Sequence, residues 1–160
     1  MNVAVYPGSF DPITLGHLDI ITRASKCFDK VLVCVMVNCD KKQPMFSREK
    51  RLELIQKSIA HLPNVEVELW CGLLADYAAK RGANILIKGV RNMTDFDLEM
   101  QMARINQGIM PNLETVLLPA SAPYQHFSST MVREMIRYGQ PLEQYVPAVV
   151  AAELKDRKEF

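Results

Sequence analysis

Residues 31–37 read V-L-V-C-V-M-V. A β-branched run with no polar residue at alternate positions suits a strand covered on both faces, the normal condition inside a parallel sheet. Shorter apolar runs at 3–6, 65–70, 85–87 and 115–118 repeat the signal, and helical patterns lie between them. In the stretch 47–62, Leu52, Ile55, Ile59 and Leu62 recur at steps of three and four, with Ser47 placed to cap the helix and Glu49 in its first turn. Further helices are expected over 73–81 before Gly82, over 95–107 before Gly108, over 129–138 before Gly139, and in part of 143–155. Parallel strands need helical crossovers. The alternation therefore predicts an α/β protein, a Rossmann-like doubly wound five-stranded parallel sheet with helices on both faces. At 160 residues, 49% of them hydrophobic, the chain fills one core, so 1–160 is read as a single domain.

Composition narrows the partners. A net charge of +1 argues against a general nucleic-acid binder, which needs a basic excess or stripe. The four cysteines, Cys27, Cys34, Cys39 and Cys71, form no C-x-x-C pair and no zinc spacing, so no metal site is expected from them. They read as free thiols of a reduced, cytoplasmic protein, with Cys34 in the core. Residues 2–5 are too short for a signal-peptide core, and no run approaches a membrane span.

After the first strand comes Y-P-G-S-F-D-P-I-T-L-G-H, residues 6–17. A plain turn needs one Gly or Pro, whereas this loop has two of each and ends on a histidine. In a doubly wound sheet, ligands sit beyond the carboxyl ends of the strands, where this loop begins. Gly8 allows close approach of a ligand, Ser9 offers a hydroxyl and an N–H, and Asp11 with Pro12 shapes the turn. Thr14 can cap the next helix, whose apolar stripe is Leu18, Ile21, Ala24 and Phe28. Gly16 and His17 then fall in the first turn. Glycine there costs about 1 kcal/mol against alanine, and the expected gain is room for a phosphate over the helix N-terminus, with His17 donating to it. Neither a P-loop, a dinucleotide fingerprint nor a G-x-S-x-G elbow is present.

The loop resembles the H/T-x-G-H signature of the nucleotidylyltransferase superfamily and, more narrowly, its bacterial phosphopantetheine adenylyltransferase family. K-K-Q-P-M-F-S-R-E-K-R at 41–51, I-L-I-K-G-V-R at 85–91 and F-S-S-T-M-V-R-E at 127–134 agree in order and spacing. The resemblance implies adenylyl transfer from ATP to 4′-phosphopantetheine, giving dephospho-CoA. It implies His17, Thr14 and Lys42 as catalytic residues, His17 as the donor to the transition state. Counting back from Pro44 favours Lys42 over Lys41 as the lysine bridging the reacting phosphates. For ATP it implies Ser9, Phe10, His17, Gly89, Val90, Arg91 and Glu99, then Tyr124, Gln125, His126, Phe127, Ser128, Ser129 and Thr130. Ser9, Lys42, Leu74 and Lys88 are implied for the acceptor. Position 88 departs from the family, whose members usually carry arginine there. Lysine keeps the charge and loses the two-pronged fork.

The resemblance further implies Mg2+ accompanying ATP without a protein metal cage, CoA or dephospho-CoA as product or inhibitor, no nucleic acid or membrane partner, and a homohexamer. Met100, Met102 and Met110 would suit such an interface, or the core. Three rival readings are weaker. A relative with another acceptor would not be expected to carry the I-K-G-V-R and F-S-S-T segments. A non-catalytic module would have lost His17 or the loop lysines. A tRNA-synthetase fragment would carry K-M-S-K-S.

Overall fold

Strands and helices alternate as the apolar runs predict: β1 (Val3–Gly8), α1 (Leu15–Cys27), β2 (Lys30–Met36), α2 (Arg48–Ile59), β3 (Val65–Trp70), α3 (Leu74–Lys80), β4 (Ile85–Val90), α4 (Met93–Ile109), β5 (Glu114–Pro119), α5 (Ser129–Arg137) and α6 (Ala148–Asp156). The computed structural model describes residues 1–38 and 43–157. Lys41, Lys42 and Cys39 therefore lie outside the described residues.

The sheet has five strands in the order β3-β2-β1-β4-β5, every adjacent pair parallel. The expected doubly wound fold is thus the observed one. Right-handed crossovers put α1 and α2 on one face and α3 and α4 on the other. The period-two alternation of β1 follows. Ala4 and Tyr6 join the core with Ile20, Ile21 and Ile55, whereas Val3 and Val5 face Ala75, Tyr77 and Ala78. Cys34 is buried in that second cluster, as expected.

Strand order reverses between β1 and β4. Against β2, β1 is paired from Val3↔Lys30 to Gly8↔Val35, but against β4 only at Ala4↔Ile85 and Val5↔Leu86. Beyond that point the two strands part, and the first loop emerges at the parting.

That loop is held from three sides. Asp11 accepts hydrogen bonds from the backbone N–H groups of Met45 (2.9 Å) and Phe46 (2.9 Å). Arg51 donates through Nη1 to the Ser9 carbonyl (2.8 Å), and Arg133 through Nη1 to that of Asp11 (2.9 Å). Phe10 is 2% exposed at φ 48°, its ring edge-on to Tyr6 and His17. A Cβ on Gly8 would lie 3.0 Å from that ring. Gly8 is thus bare to make room for Phe10, which corrects its expected role beside a ligand.

Several expected details shift. In α2 the buried residues are Arg51, Leu54, Ile55, Ser58 and Ile59, with Leu52 only half-buried. The helix presents Arg51 to the first loop, and its buried face turns accordingly. α4 starts at Met93 because Asn92 caps it, its Oδ1 accepting from the Asp95 N–H (2.9 Å). It continues through Gly108 to Ile109, whereas Gly82 (φ 63°) and Gly139 (φ 66°) do take the left-handed form. α6 starts only after Pro147, which cannot donate an N–H to a preceding helical turn. The expectation of free thiols fails at Cys71, which is disulfide-bonded, while Cys27 and Cys34 are free. Cys71 stands exposed in the turn after β3, and linear spacing alone gave no sign of its bond. Among the described residues, no helix is long and apolar enough to cross a membrane, and no cluster of His, Cys, Asp and Glu is placed to hold a metal.

The Asp11 bracket yields a stability test. Asp11→Ala leaves two N–H groups without acceptors, that of Phe46 in a fully buried residue. The expected loss is about 2–4 kcal/mol in urea denaturation, with Asp11→Asn losing clearly less because one acceptor oxygen remains.

Candidate active site

Where β1 and β4 part, a cavity of about 240 Å³ opens at the carboxyl edge of the sheet. Its floor includes Tyr6 and Gly89, and the start of α1 (Thr14, Gly16, His17) forms one wall. Arg91, Asp95 and Glu99 form another, and Tyr124, Phe127, Ser128 and Ser129 close the third. The side chain that the sequence singled out is thus brought together with two segments distant from it in the chain, 89–99 and 120–129.

His17 is locked by a reciprocal cap. Its N–H donates to Thr14 Oγ1 (3.2 Å), and its Nδ1 accepts from the Thr14 N–H (3.0 Å). An Nδ1 that accepts carries no proton. The neutral ring must therefore hold its hydrogen on Nε2, where it is free to donate. Burial, reinforced by the positive charge of Arg91, pushes the imidazole pKa down from 6.5 to about 4. The site thus contains a neutral donor of fixed tautomer. The first turn also needs its glycine, though less strictly than supposed. A Cβ on Gly16 would meet Thr14 Oγ1 and the Tyr124 Cβ at 3.5 Å, ordinary contact that would fill space over the helix end.

Arg91 is held by Asp95. Its Nε lies 2.9 Å from Asp95 Oδ2 and its Nη2 3.3 Å from Oδ1, while its backbone N–H also reaches Oδ2 (3.1 Å). Nη1 donates to the Phe127 carbonyl (2.9 Å). The bonds from Arg91 hold the Asp95 carboxyl below its ordinary range. Lys88 pairs with Glu99 Oε1 (3.4 Å), leaving Oε2 buried with no partner. Tyr6 is almost wholly buried, and burial together with the nearby Glu99 and Asp19 charges keeps its phenol protonated.

The other residues implied by the resemblance lie at varied distances from this centre. Ser128 caps α5, its Oγ accepting from the Met131 N–H (3.0 Å), and Ser129 Oγ donates to the Pro12 carbonyl (3.3 Å). Thr130 Oγ1 accepts from Arg133, away from the cavity lining. Gln125 and His126 are exposed on the same segment. Ser9 is exposed in the first loop, and Phe10 is buried beneath His17, so its side chain packs rather than binds. Val90 ends β4, its carbonyl accepting from Ala120. Lys88 projects to the α4 side of the sheet, outside the lining, and Leu74 packs on the second cluster at the start of α3. Sequence reasoning missed Tyr6, Ile20, Asp95 and Ala120 in the lining. Asp95 alone carried a signal, as an acid four residues after an arginine at a helix start.

The His17 cap is open to direct measurement. Its NMR titration should show a neutral Nδ1-acceptor tautomer down to about pH 4. Because the folded pKa lies below 6.5, the unfolded chain takes up this proton first. His17 therefore lowers stability as the pH falls from about 6.5 to 4 and has no such effect above 7. His17→Gln should flatten that part of the profile, and a titration midpoint near 6.5 in the folded protein would contradict the lock.

Comparison with known proteins agrees with this geometry. A family model described as cytidylyltransferase-like matches residues 5–135. A phosphopantetheine adenylyltransferase of Synechococcus elongatus is 51% identical, over 96% of this chain and 92% of its own length. One from Caldanaerobacter subterraneus is 45% identical over 98% of both. A solved bifunctional NMN adenylyltransferase/ADP ribose pyrophosphatase from Francisella tularensis shares the fold at a TM-score of 0.74, with 17% identity over 96% of this chain and 48% of that one. With end-to-end identity near one half, and with His17, Arg91 and the start of α5 gathered around one crevice, this chain belongs to the phosphopantetheine adenylyltransferase family.

Proposed function

We propose that the chain transfers the adenylyl group of ATP to 4′-phosphopantetheine, giving dephospho-CoA and pyrophosphate. The observation that carries the reading is the neutral His17, held with Nε2–H free among further donors. An oxygen of the acceptor phosphate attacks the α-phosphorus, and the bond to the bridging oxygen breaks as pyrophosphate leaves. The nucleophile is already an anion, so no base is required. What the reaction needs is alignment and donors to the oxygens on which charge builds. A histidine that stays neutral well below pH 7 suits that task and not proton abstraction.

In this reading His17 donates to a non-bridging oxygen of the α-phosphate, with Thr14 holding the ring. Arg91 and the N-terminus of α5, at Ser128 and Ser129, take the remaining phosphates. Gly89, Val90, Glu99 and Tyr124 through Phe127 line the nucleoside side. Ser9 and Lys88 serve the acceptor phosphate, Lys42 bridges the two substrates, and Leu74, beside the exposed Leu73, takes the pantetheine arm. Magnesium enters with ATP as part of the substrate. Asp95 is held by Arg91 and one oxygen of Glu99 by Lys88, so in this reading the triphosphate and water supply most of its ligands. CoA, which shares the product's pantetheine arm, would compete for the site. The reading includes a cytoplasmic location and a homohexamer. Self-association of some kind is supported by α4, which exposes Phe96, Leu98, Met102, Ile105 and Ile109 and buries none of its residues.

Three measurements test the reading. Pyrophosphate release from Mg-ATP should depend on added phosphopantetheine and not appear with nicotinate mononucleotide; equal release without acceptor would sink it. His17→Ala should lower kcat by a hundredfold or more, about 2.7–4 kcal/mol, with ATP affinity nearly unchanged. Calorimetry in which affinity falls in parallel would make His17 a ground-state contact instead. Lys88→Ala should raise the KM for phosphopantetheine about tenfold or more, and that for ATP much less, while Lys88→Arg changes little. A large gain in the arginine variant would show that the fork, rather than the charge, was the limiting feature.

A further inference from the structure

Arg91 directly follows β4 and Asp95 lies in the first turn of α4. A guanidinium has five N–H donors in a rigid plane. Three of Arg91's are engaged: two by the Asp95 carboxylate and one by the Phe127 carbonyl. Two remain, in a side chain that lines the cavity. A two-point carboxylate contact fixes the plane as well as the place of the group, and so fixes where the free pair of donors points. Asp95 is itself secured. Its N–H is capped by Asn92, and a carboxylate in the first turn of a helix is favoured by the dipole. The bond to Phe127 adds a second consequence. Phe127 directly precedes Ser128, the cap of α5, so Arg91 ties the start of α4 to the start of α5 across the cavity.

We propose that Asp95 is a positioning residue for the nucleotide: it holds Arg91 so that the two unengaged donors face the triphosphate, and through Arg91 it fixes the α5 wall of the site. The inference rests on the nucleotide-binding reading above. Its content is that Asp95 acts through Arg91 and makes no contact of its own with the ligand, although it lines the same cavity. The two side chains are 34% and 24% exposed. An ion pair so open to solvent contributes little to stability, so its removal should leave the fold intact.

A double-mutant cycle separates the possibilities. Mg-ATP binding is measured by calorimetry, without acceptor, for the wild type, Asp95→Ala, Arg91→Ala and the double variant, with melting curves as a check on folding. Asp95→Ala should weaken ATP about tenfold. In the Arg91→Ala background the same change should cost less than about twofold. In steady-state assays Asp95→Ala should raise the KM for ATP and leave that for phosphopantetheine within about threefold. Asp95→Asn preserves shape while losing charge, and should fall between; it replaces the alanine variant should that one unfold. Additive losses in the two backgrounds, or equal rises in both KM values, would overturn the proposal. A wild type that binds Mg-ATP but releases no pyrophosphate on adding phosphopantetheine would remove the acceptor reading and leave the cycle intact. A wild type that binds no Mg-ATP overturns both.

Discussion

The parting of β1 from β4 after two paired residues governs the rest of this molecule. Parallel strands are ordinarily zipped by evenly spaced hydrogen bonds, as β1 and β2 are from Val3 to Gly8. Where the order of strands reverses, the chains leaving β1 and β4 cross to opposite faces, and no connection fills the space between them. The cavity is that space. Its polarity follows from what surrounds it: a loop that must be bracketed by Asp11, Arg51 and Arg133, and two helix N-termini that line the same opening.

Electrostatics within the crevice follow from pairing rather than from net charge. His17 is kept neutral by burial and by Arg91, so it contributes a dipole and not an ion. Asp95 sets the direction of the Arg91 guanidinium and offsets part of its field. A full positive charge beside an unpaired Arg91 at position 17 would bind a triphosphate tightly in the ground state. In the proposed reaction, a neutral His17 would leave its contribution for the moment when charge grows on the α-phosphate oxygens, which is where stabilisation raises the rate.

Local signals were legible in the sequence and long-range ones were not. The valine run of β2 and the Thr14 and Ser47 caps could be read because each depends on neighbours within a turn. The bracket on the first loop could not. Arg51 is 42 positions from Ser9 and Arg133 is 122 from Asp11, and either would pass as a surface helix arginine. Arg51 proved almost wholly buried. Gly8 was misread for a related reason. A bare position suggests an approaching ligand, but here Phe10, folded back at positive φ, takes up the room. Glu99, which sequence pattern alone would have called a solvated helix residue, became a site residue only through resemblance, and the structure places it against Lys88.

The two faces of the sheet are unequal, and α4 carries the difference. The face bearing α1, α2, α5 and α6 packs an extensive core, whereas the other is covered by a smaller cluster centred on α3. α4 is 17 residues long and buries none of them, yet among the described residues it holds seven of the ten large apolar side chains that are exposed. A helix with no buried face gains little from packing, so its anchoring must come from elsewhere. In this chain the polar contacts that orient α4 lie on the cavity side: the Asn92 cap, Asp95 on Arg91, and Glu99 on Lys88. The ion pairs among them add little to stability, and all three set the direction of the helix with the same groups that shape the ligand site. Phe96, Ile105 and Ile109 stand on that same helix, so the wall of the crevice and the exposed apolar face are two sides of one element.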